Sequence, residues 1–398
     1  MRFNYKHTMY ASFIGYIVQA IINNFIPLLF LTFQSSYNIP ISKITFLVTF
    51  NFGIQLLIDL LSAGFIDKIG YKASVVIAHI ASAVGLIALT ILPELFRDPF
   101  IGLLIAVMIY AIGGGLIEVL ISPIVEACPT DNKETAMSLL HSFYCWGHVG
   151  VILISTIFFS IFGILNWKWI AIFWSIIPII NSIFFIKVPI SKLNEDGENG
   201  LTIKDLISNK MFWIMVILMI CAGASEQSVS QWASTFAEKG LGVNKTIGDL
   251  TGPMFFAIMM GISRVLYSKF GEKMNLEKSM LYSGGLCLIS YFIIAISPWP
   301  VFSLIGCGLC GLSVGLLWPG TFSMSSSKIK GGGTAMFAFL ALAGDIGCSI
   351  GPTVVGTVSG MFNDNIKVGI IAASMFPIVL ILGLIINIFT RKSEIINS

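Results

Sequence analysis

Long apolar runs, separated by short polar breaks, set the pattern of this chain. Twelve such runs have approximate cores at 8–33, 44–66, 74–94, 100–125, 136–163 and 169–188, then 211–236, 249–268, 279–298, 300–323, 334–359 and 368–390. Each is long enough to cross a bilayer, which takes about 20 residues of helix. Each must be helical, because backbone polar groups find no water in the hydrocarbon core. The pattern predicts an all-α polytopic membrane protein with twelve transmembrane helices. The one long polar stretch, Pro189 to Asn209, falls between the sixth and seventh runs. It predicts two six-helix bundles, 1–188 and 210–398, joined by a linker at 189–209, with Leu201 to Ser208 as a short surface helix.

The two halves repeat one another. Lys68-Ile69-Gly70-Tyr71-Lys72 returns at Lys269-Phe270-Gly271-Glu272-Lys273, an offset of 201. Gly115 and Pro123 return as Gly311 and Pro319, an offset of 196, and Gly147-His148-Val149-Gly150 returns as Gly344-Asp345-Ile346-Gly347, an offset of 197. On these matches His148 and Asp345 are expected at equivalent points of helices 5 and 11. Paired membrane bundles of this kind are the architecture of secondary transporters.

Composition strengthens the membrane reading. Hydrophobic residues make up 56% of the chain and charged residues 11%, against about 25% charged in a soluble chain. With the N-terminus inside, sixteen Lys and Arg fall on the inner side and six on the outer. This bias predicts cytoplasmic termini in the cytoplasmic membrane. It also explains the net charge of +3 without nucleic acid. The first apolar run lacks a small-residue cleavage site and reads as a span, not a cleaved signal. Cys307 and Cys310 form a C-x-x-C inside an apolar helix without a second pair, so no metal site is expected. Gly113-Gly114-Gly115 follows no strand, which argues against a dinucleotide fingerprint. No catalytic constellation and no cofactor are expected.

Ionisable groups at mid-bilayer cost about 2.5–3.5 kcal/mol on insertion scales, so each needs a partner, a cavity or a proton. Glu118 lies within an otherwise apolar stretch and is the first candidate for proton coupling; Glu226 and Asp345 are the next. His141, Tyr144, Cys145 and His148 share one helix face by their spacing, and His148 can bond a hydroxyl or relay a proton. Asn51, Gln55 and Asp59 form an i, i+4, i+8 polar ladder, and Gln19 and Asn23 a similar pair. Glu226, Gln227, Ser230, Gln231 and Trp232 gather polar groups beside an indole, a combination suited to a polyol. Trp318 could stack similarly. Candidate substrate contacts are Asn23, Gln55, His148, Gln227, Gln231 and Trp318. Candidate gating residues are Asp59, Asp67, Lys68 and Arg264; Arg264 could instead pair with Asp345 or snorkel to the surface.

These residues carry a resemblance to the major facilitator superfamily over the whole chain. Asp67-Lys68-x-Gly70-x-Lys72 is similar to that family's motif between helices 2 and 3, with Ala63 where Gly is usual. Gly113-x-Gly115-x-x-Glu118-x-x-x-Ser122-Pro123 resembles the helix-4 signature of the fucose-permease-type branch of sugar:proton symporters, with Ser122 in place of Asn. That branch also carries a helix-1 Asp four residues before a Pro, where this chain has Asn23 before Pro27. Gly223-x-x-Glu226 with Trp232 looks like a helix-7 signature of related transporters. Gly347-x-x-x-Gly351-Pro352-x-x-x-Gly356 resembles an antiporter motif, but in helix 11 instead of helix 5. The resemblance implies alternating-access transport of a small polar solute, a sugar favoured, by a monomer surrounded by lipid and coupled to protons through Glu118. The rivals are a drug or metabolite:proton antiporter, a non-transporting membrane sensor or receptor, and a membrane enzyme.

Overall fold

The computed structural model describes residues 3–129, 133–190, 201, 203–270, 275–329 and 333–397. Among the described residues, twelve helical spans are long and apolar enough to cross a membrane. Spans 1 to 6 are Tyr5–Tyr37, Ile41–Leu61, Tyr71–Leu95, Pro99–Val125, Leu139–Phe162 and Ile164–Lys187. Spans 7 to 12 are Lys210–Gly240, Lys245–Tyr267, Leu276–Ile296, Pro300–Ser325, Phe339–Met361 and Ile366–Asn387. A short helix, Ile203–Ser208, precedes span 7. Contacts divide the chain into two compact units. One is Met1–Asp196 with Lys245–Leu250; the other is Gly197–Asn244 with Thr251–Ser398.

Local chemistry sets the helix ends. Asn4, Asp98, Asn209, Asn275 and Asn365 each accept a backbone N–H from the first turn of the helix that follows, satisfying donors that would otherwise be orphaned. Gly70 (φ 88°) and Gly163 (φ 83°) make the tight turns after the helix of span 2 and after span 5, a conformation that disfavours side chains with a Cβ. Span 1 is interrupted by a 3-10 turn at Ile26–Leu29 that contains Pro27.

The units are inside-out compared with soluble domains. Ile154, Ile157 and Ile161 on span 5 are 42%, 49% and 67% exposed, while Gln19, Asn51 and Gln55 are at most 6% exposed. In the first unit His79, Asn181 and span 1 form a polar clamp. Asn181 Nδ2 donates to Ala11 O at 3.0 Å and lies 2.8 Å from His79 Nε2. His79 Nδ1 lies 2.7 Å from Val75 O. A carbonyl can only accept, so Nδ1 carries the proton and Nε2 accepts from Asn181. The neutral Nδ1–H tautomer thus ties spans 1, 3 and 6 together.

The repeat is real at the level of helices, but two of the motif matches slip. Spans 4 and 10 begin at Pro99 and Pro300, 201 apart, and spans 5 and 11 end at Phe162 and Met361, 199 apart. The match at offset 196, on spans 4 and 10, is therefore five residues out of step, and the match at 197, on spans 5 and 11, two. His148 and Asp345 are not equivalent positions; near-recurrent glycines on helices imitate a register that the helix ends do not share. The antiporter-like glycines do packing work instead. A Cβ on Gly347 would lie 2.0 Å from Ile220 O, and one on Gly351 2.4 Å from Ala224 O, so spans 7 and 11 meet backbone to backbone.

The clamp predicts that Asn181→Leu lowers stability by about 1–2 kcal/mol, since His79 and Ala11 O lose their shared donor. Thermal unfolding in detergent measures this. A melting temperature equal to that of the unmodified protein would show that the clamp contributes nothing.

Candidate functional site

In the first unit, the polar residues of spans 1, 2 and 4 meet in one network. Gln19 Nε2 donates to Gln55 Oε1 at 2.9 Å and to Glu118 Oε2 at 3.1 Å. Gln55 Nε2 donates to Asn23 Oδ1 at 2.9 Å and to Asn51 Oδ1 at 3.0 Å. Asn51 Nδ2 lies 3.4 Å from Asn23 Oδ1. Gln55 is the centre, using both its amide oxygen and its amide nitrogen.

The glycines of span 4 make this meeting possible. A Cβ on Gly115 would lie 2.9 Å from Gln55 O, and one on Gly114 3.2 Å from the Gln55 side chain. On the opposite face, a Cβ on Gly113 would lie 2.6 Å from Ala78 O. Three consecutive glycines thus let span 4 press against spans 2 and 3 at one level, which brings Glu118 one turn further on within reach of Gln19. Tyr16 and Ser122 hydroxyls, 3.0 Å apart, extend the network along the same two spans.

Span 5 adds an aromatic edge. Asn24 Nδ2 donates to the Tyr144 hydroxyl at 3.3 Å, and the Tyr144 and His148 rings lie 6.4 Å apart. His148 is buried, whereas His141 is exposed and meets Tyr16 edge-on. Asp59 is half-buried, one turn beyond Gln55 on span 2. Asp67 and Lys68 belong to the helix Ile41–Ile69, but their side chains lie outside the described residues.

The second unit gathers a different set. Glu226 Oε2 lies 3.7 Å from Arg264 Nη2, so the buried carboxylate of span 7 is matched by a cation of span 8. Gln227 Nε2 lies 3.3 Å from Glu226 Oε1, and Gln231 Nε2 donates to Gln227 Oε1 at 3.0 Å. Trp318 is half-buried on span 10 and covers Gly344, where a Cβ would lie 2.1 Å from the indole ring. Asp345, the next residue, is 6% exposed. Trp232 is different from the sequence expectation. It is fully buried and its indole N–H donates to Pro352 O at 3.0 Å, which makes it a strut between spans 7 and 11 and leaves no open face.

Further from this set, Lys328 pairs with Glu277 and donates to Asn387 Oδ1. The three residues join the ends of spans 9, 10 and 12 beside a polar cleft of about 600 Å³. Two residues of consequence escaped the sequence reading. Asn24 was masked by its neighbour Asn23, although both sit on the helix of span 1. Asp249, only 1% exposed, fell on the expected edge of span 8, where a carboxylate attracts no notice.

The network predicts that Gln55→Leu removes one hydrogen-bond partner each from Gln19, Asn23 and Asn51. Stability should fall by about 1–3 kcal/mol, more than for a substitution of one outlying member such as Asn51→Leu. Denaturation midpoints of the two variants decide it, and equal losses would remove Gln55 from the centre.

A family profile described as Major Facilitator Superfamily matches residues 8–352. A search of curated proteins finds no significant match. Among solved structures, the fold is similar to a variant of the E. coli fucose:proton symporter FucP, with a TM-score of 0.65 at 15% identity over 96% of this chain and 98% of that one. It is also similar to a D-xylose-proton symporter, with a TM-score of 0.77 at 14% identity over 96% of this chain and 95% of that one. The E. coli xylose transporter XylE, in a partially occluded inward-open conformation, gives the same TM-score of 0.77 at 14% identity over 96% of both chains.

Proposed function

The chain belongs to the major facilitator superfamily of membrane transporters, and from that premise we propose that it carries a small, neutral, hydroxyl-rich solute, a sugar, by alternating access in symport with protons. The observation that carries this reading is the amide network around one carboxylate in the first unit. Amides offer donors and acceptors side by side, as sugar hydroxyls require. The named polar residues of that network are uncharged apart from Glu118. A cationic drug would favour several carboxylates, and an anionic solute would favour an available Arg or Lys. In the second unit Arg264 faces Glu226, and the half-buried indole of Trp318 suits the C–H face of a sugar ring. The fucose and xylose symporters of similar fold support the same solute class.

Glu118 is the proposed proton site, with Gln19 as its reporter. When ionised, the Glu118 carboxylate accepts from Gln19 Nε2. When protonated, it has an O–H to donate, and Gln19 Oε1 is a buried acceptor with no hydrogen-bond partner among the described residues. Turning the Gln19 amide therefore exchanges one hydrogen bond for another. The same turn redirects the bond that Gln19 gives Gln55, so the protonation state of Glu118 reaches the solute-binding amides of spans 1 and 2. Asn23, Gln55 and His148 in the first unit, and Gln227, Gln231 and Trp318 in the second, are the proposed solute contacts. Asp59 and Arg264 are proposed to act in gating. The excess of Lys and Arg between spans on one side supports cytoplasmic termini in a cytoplasmic membrane.

Two measurements test this reading. A panel of neutral sugars, including D-xylose and L-fucose, should contain a solute that raises the melting temperature of the purified protein; at a hundredfold excess over Kd the stabilisation is about 2.7 kcal/mol. For that solute, Glu118→Gln should abolish uphill accumulation driven by a pH gradient in proteoliposomes while keeping counterflow exchange, which needs no net proton movement. Accumulation that survives Glu118→Gln places the proton elsewhere, with Glu226 and Asp345 next to be tested. Accumulation indifferent to the proton gradient in the unmodified protein ends the symport reading.

A further inference from the structure

The start of span 8 does not belong with the rest of that span. Lys245–Leu250 clusters by its contacts with spans 1 to 6, and the chain joins the other unit from Thr251 onward. The boundary coincides with a π-turn, Leu250–Met254, that contains Pro253. Proline has no N–H, so one rung of the helix ladder is missing there, and a π-turn already loosens the hydrogen-bond register. A second π-turn, Phe236–Gly240, ends span 7. Between the two lie Gly242, with φ of 67°, and the five-residue helix Lys245–Asp249. The short helix is thus bracketed by two breaks in helical geometry.

Each side of the second break is fastened to a different unit. Upstream, Asp249 is buried and accepts a hydrogen bond from Thr156 Oγ1 of span 5 at 3.3 Å. Lys245 pairs with Asp249 at 3.0 Å and lies 6.0 Å over the Phe159 ring, also on span 5. Downstream, a Cβ on Gly252 would lie 3.1 Å from Ala233 O, in the unit of span 7. A rigid helix could not follow both units if they moved. A helix with a π-turn and a proline at the boundary can.

We propose that Lys245–Asp249 is a hinged latch: Asp249 closes it on Thr156 of span 5, the Leu250–Met254 turn is its hinge, and it releases span 5 in each transport cycle. This rests on the alternating-access reading above, and it adds Asp249, Thr156 and Lys245 as positioning residues for the step that opens one side. The lost rung at Pro253 gives the hinge its freedom. The Thr156 hydroxyl bonded to Asp249 and the Lys245 ammonium over the Phe159 ring give the closed state its preference, and the Lys245–Asp249 pair within the short helix holds both groups in place.

The test is a distance measurement that needs no solute. Ile157→Cys on span 5 and Ile247→Cys on the short helix introduce two thiols at positions that are each 49% exposed. The seven native cysteines are buried, so brief spin labelling selects the introduced pair, with the unmodified protein as control. Pulsed EPR should find a short and a long separation. Thr156→Val removes the donor without changing shape, and the long population should rise about tenfold relative to the short. Asp249→Asn should shift the ratio in the same direction. Pro253→Ala restores an N–H at the hinge and should narrow the distribution. A distribution unchanged in both Thr156→Val and Asp249→Asn overturns the latch. Failure of every tested sugar to accumulate in proteoliposomes, with the distance shift intact, overturns the sugar-transport reading and leaves the latch standing.

Discussion

The polar residues within the described spans are arranged under one constraint: a hydrogen-bonding group at membrane depth must find its partner inside the protein. Gln55 shows what that constraint builds. A lone amide on span 2 would be unfavourable in lipid. Given Gln19 and Asn23 on one side, Asn51 a turn away and Glu118 beyond Gln19, it becomes the hub of a network that fixes three helices at one level. The glycines of span 4 serve the same end, because amide side chains reach only a few ångströms and the helix axes must come close enough for them to meet. Individual interhelical hydrogen bonds contribute only about 0.6 kcal/mol on average. The network therefore does more for specificity than for stability. It allows one register of spans 1, 2 and 4, and it leaves donors and acceptors adjacent.

The two units solve the constraint differently on a repeated scaffold. Glu118 and Trp318 lie 19 and 18 residues after Pro99 and Pro300, the first residues of spans 4 and 10. Nearly the same helical position is a carboxylate in one half and an indole in the other. In the first unit the carboxylate is met by a neutral amide; in the second, the carboxylate of Glu226 is met by a guanidinium. The first half thus sets a carboxylate against an amide, the second against a guanidinium. The same contrast explains why duplication is weak in the sequence: the packing positions repeat, and the polar positions have diverged.

Much of the fold is legible in the sequence because its strongest signal, apolar length, is what the bilayer selects. The spans, the polar break after span 6 and the turn at Gly70 follow from composition along the chain. The amide ladder is legible too, since Asn51 with Gln55 and Gln19 with Asn23 are four apart on helices that lipid would not tolerate facing outward. What escapes is geometry that no pattern encodes. Motif matches at offsets of 196 and 197 look like register, but glycines recur on membrane helices for close packing wherever backbones meet, so they align by chance within a turn. Trp232 reads as a solute-facing indole until Pro352 O is found accepting its N–H. The importance of Gln19 depends on a contact 99 residues away in the chain, and sequence spacing on one helix cannot supply it.

Asp249 is the sharpest case of that limit, and it bears on how a helix in a membrane can bend at all. An unbroken span satisfies every backbone group internally and gains nothing by opening, so motion must enter where the ladder is already incomplete. In span 8 the break lies at Pro253, and the residues just upstream are tied to span 5 by side chains, not by backbone. Side-chain ties can be released and remade without exposing a backbone amide to lipid. A moving part built this way keeps its secondary structure intact on both sides of the hinge and stakes only one carboxylate, one hydroxyl and one ammonium on each change of state.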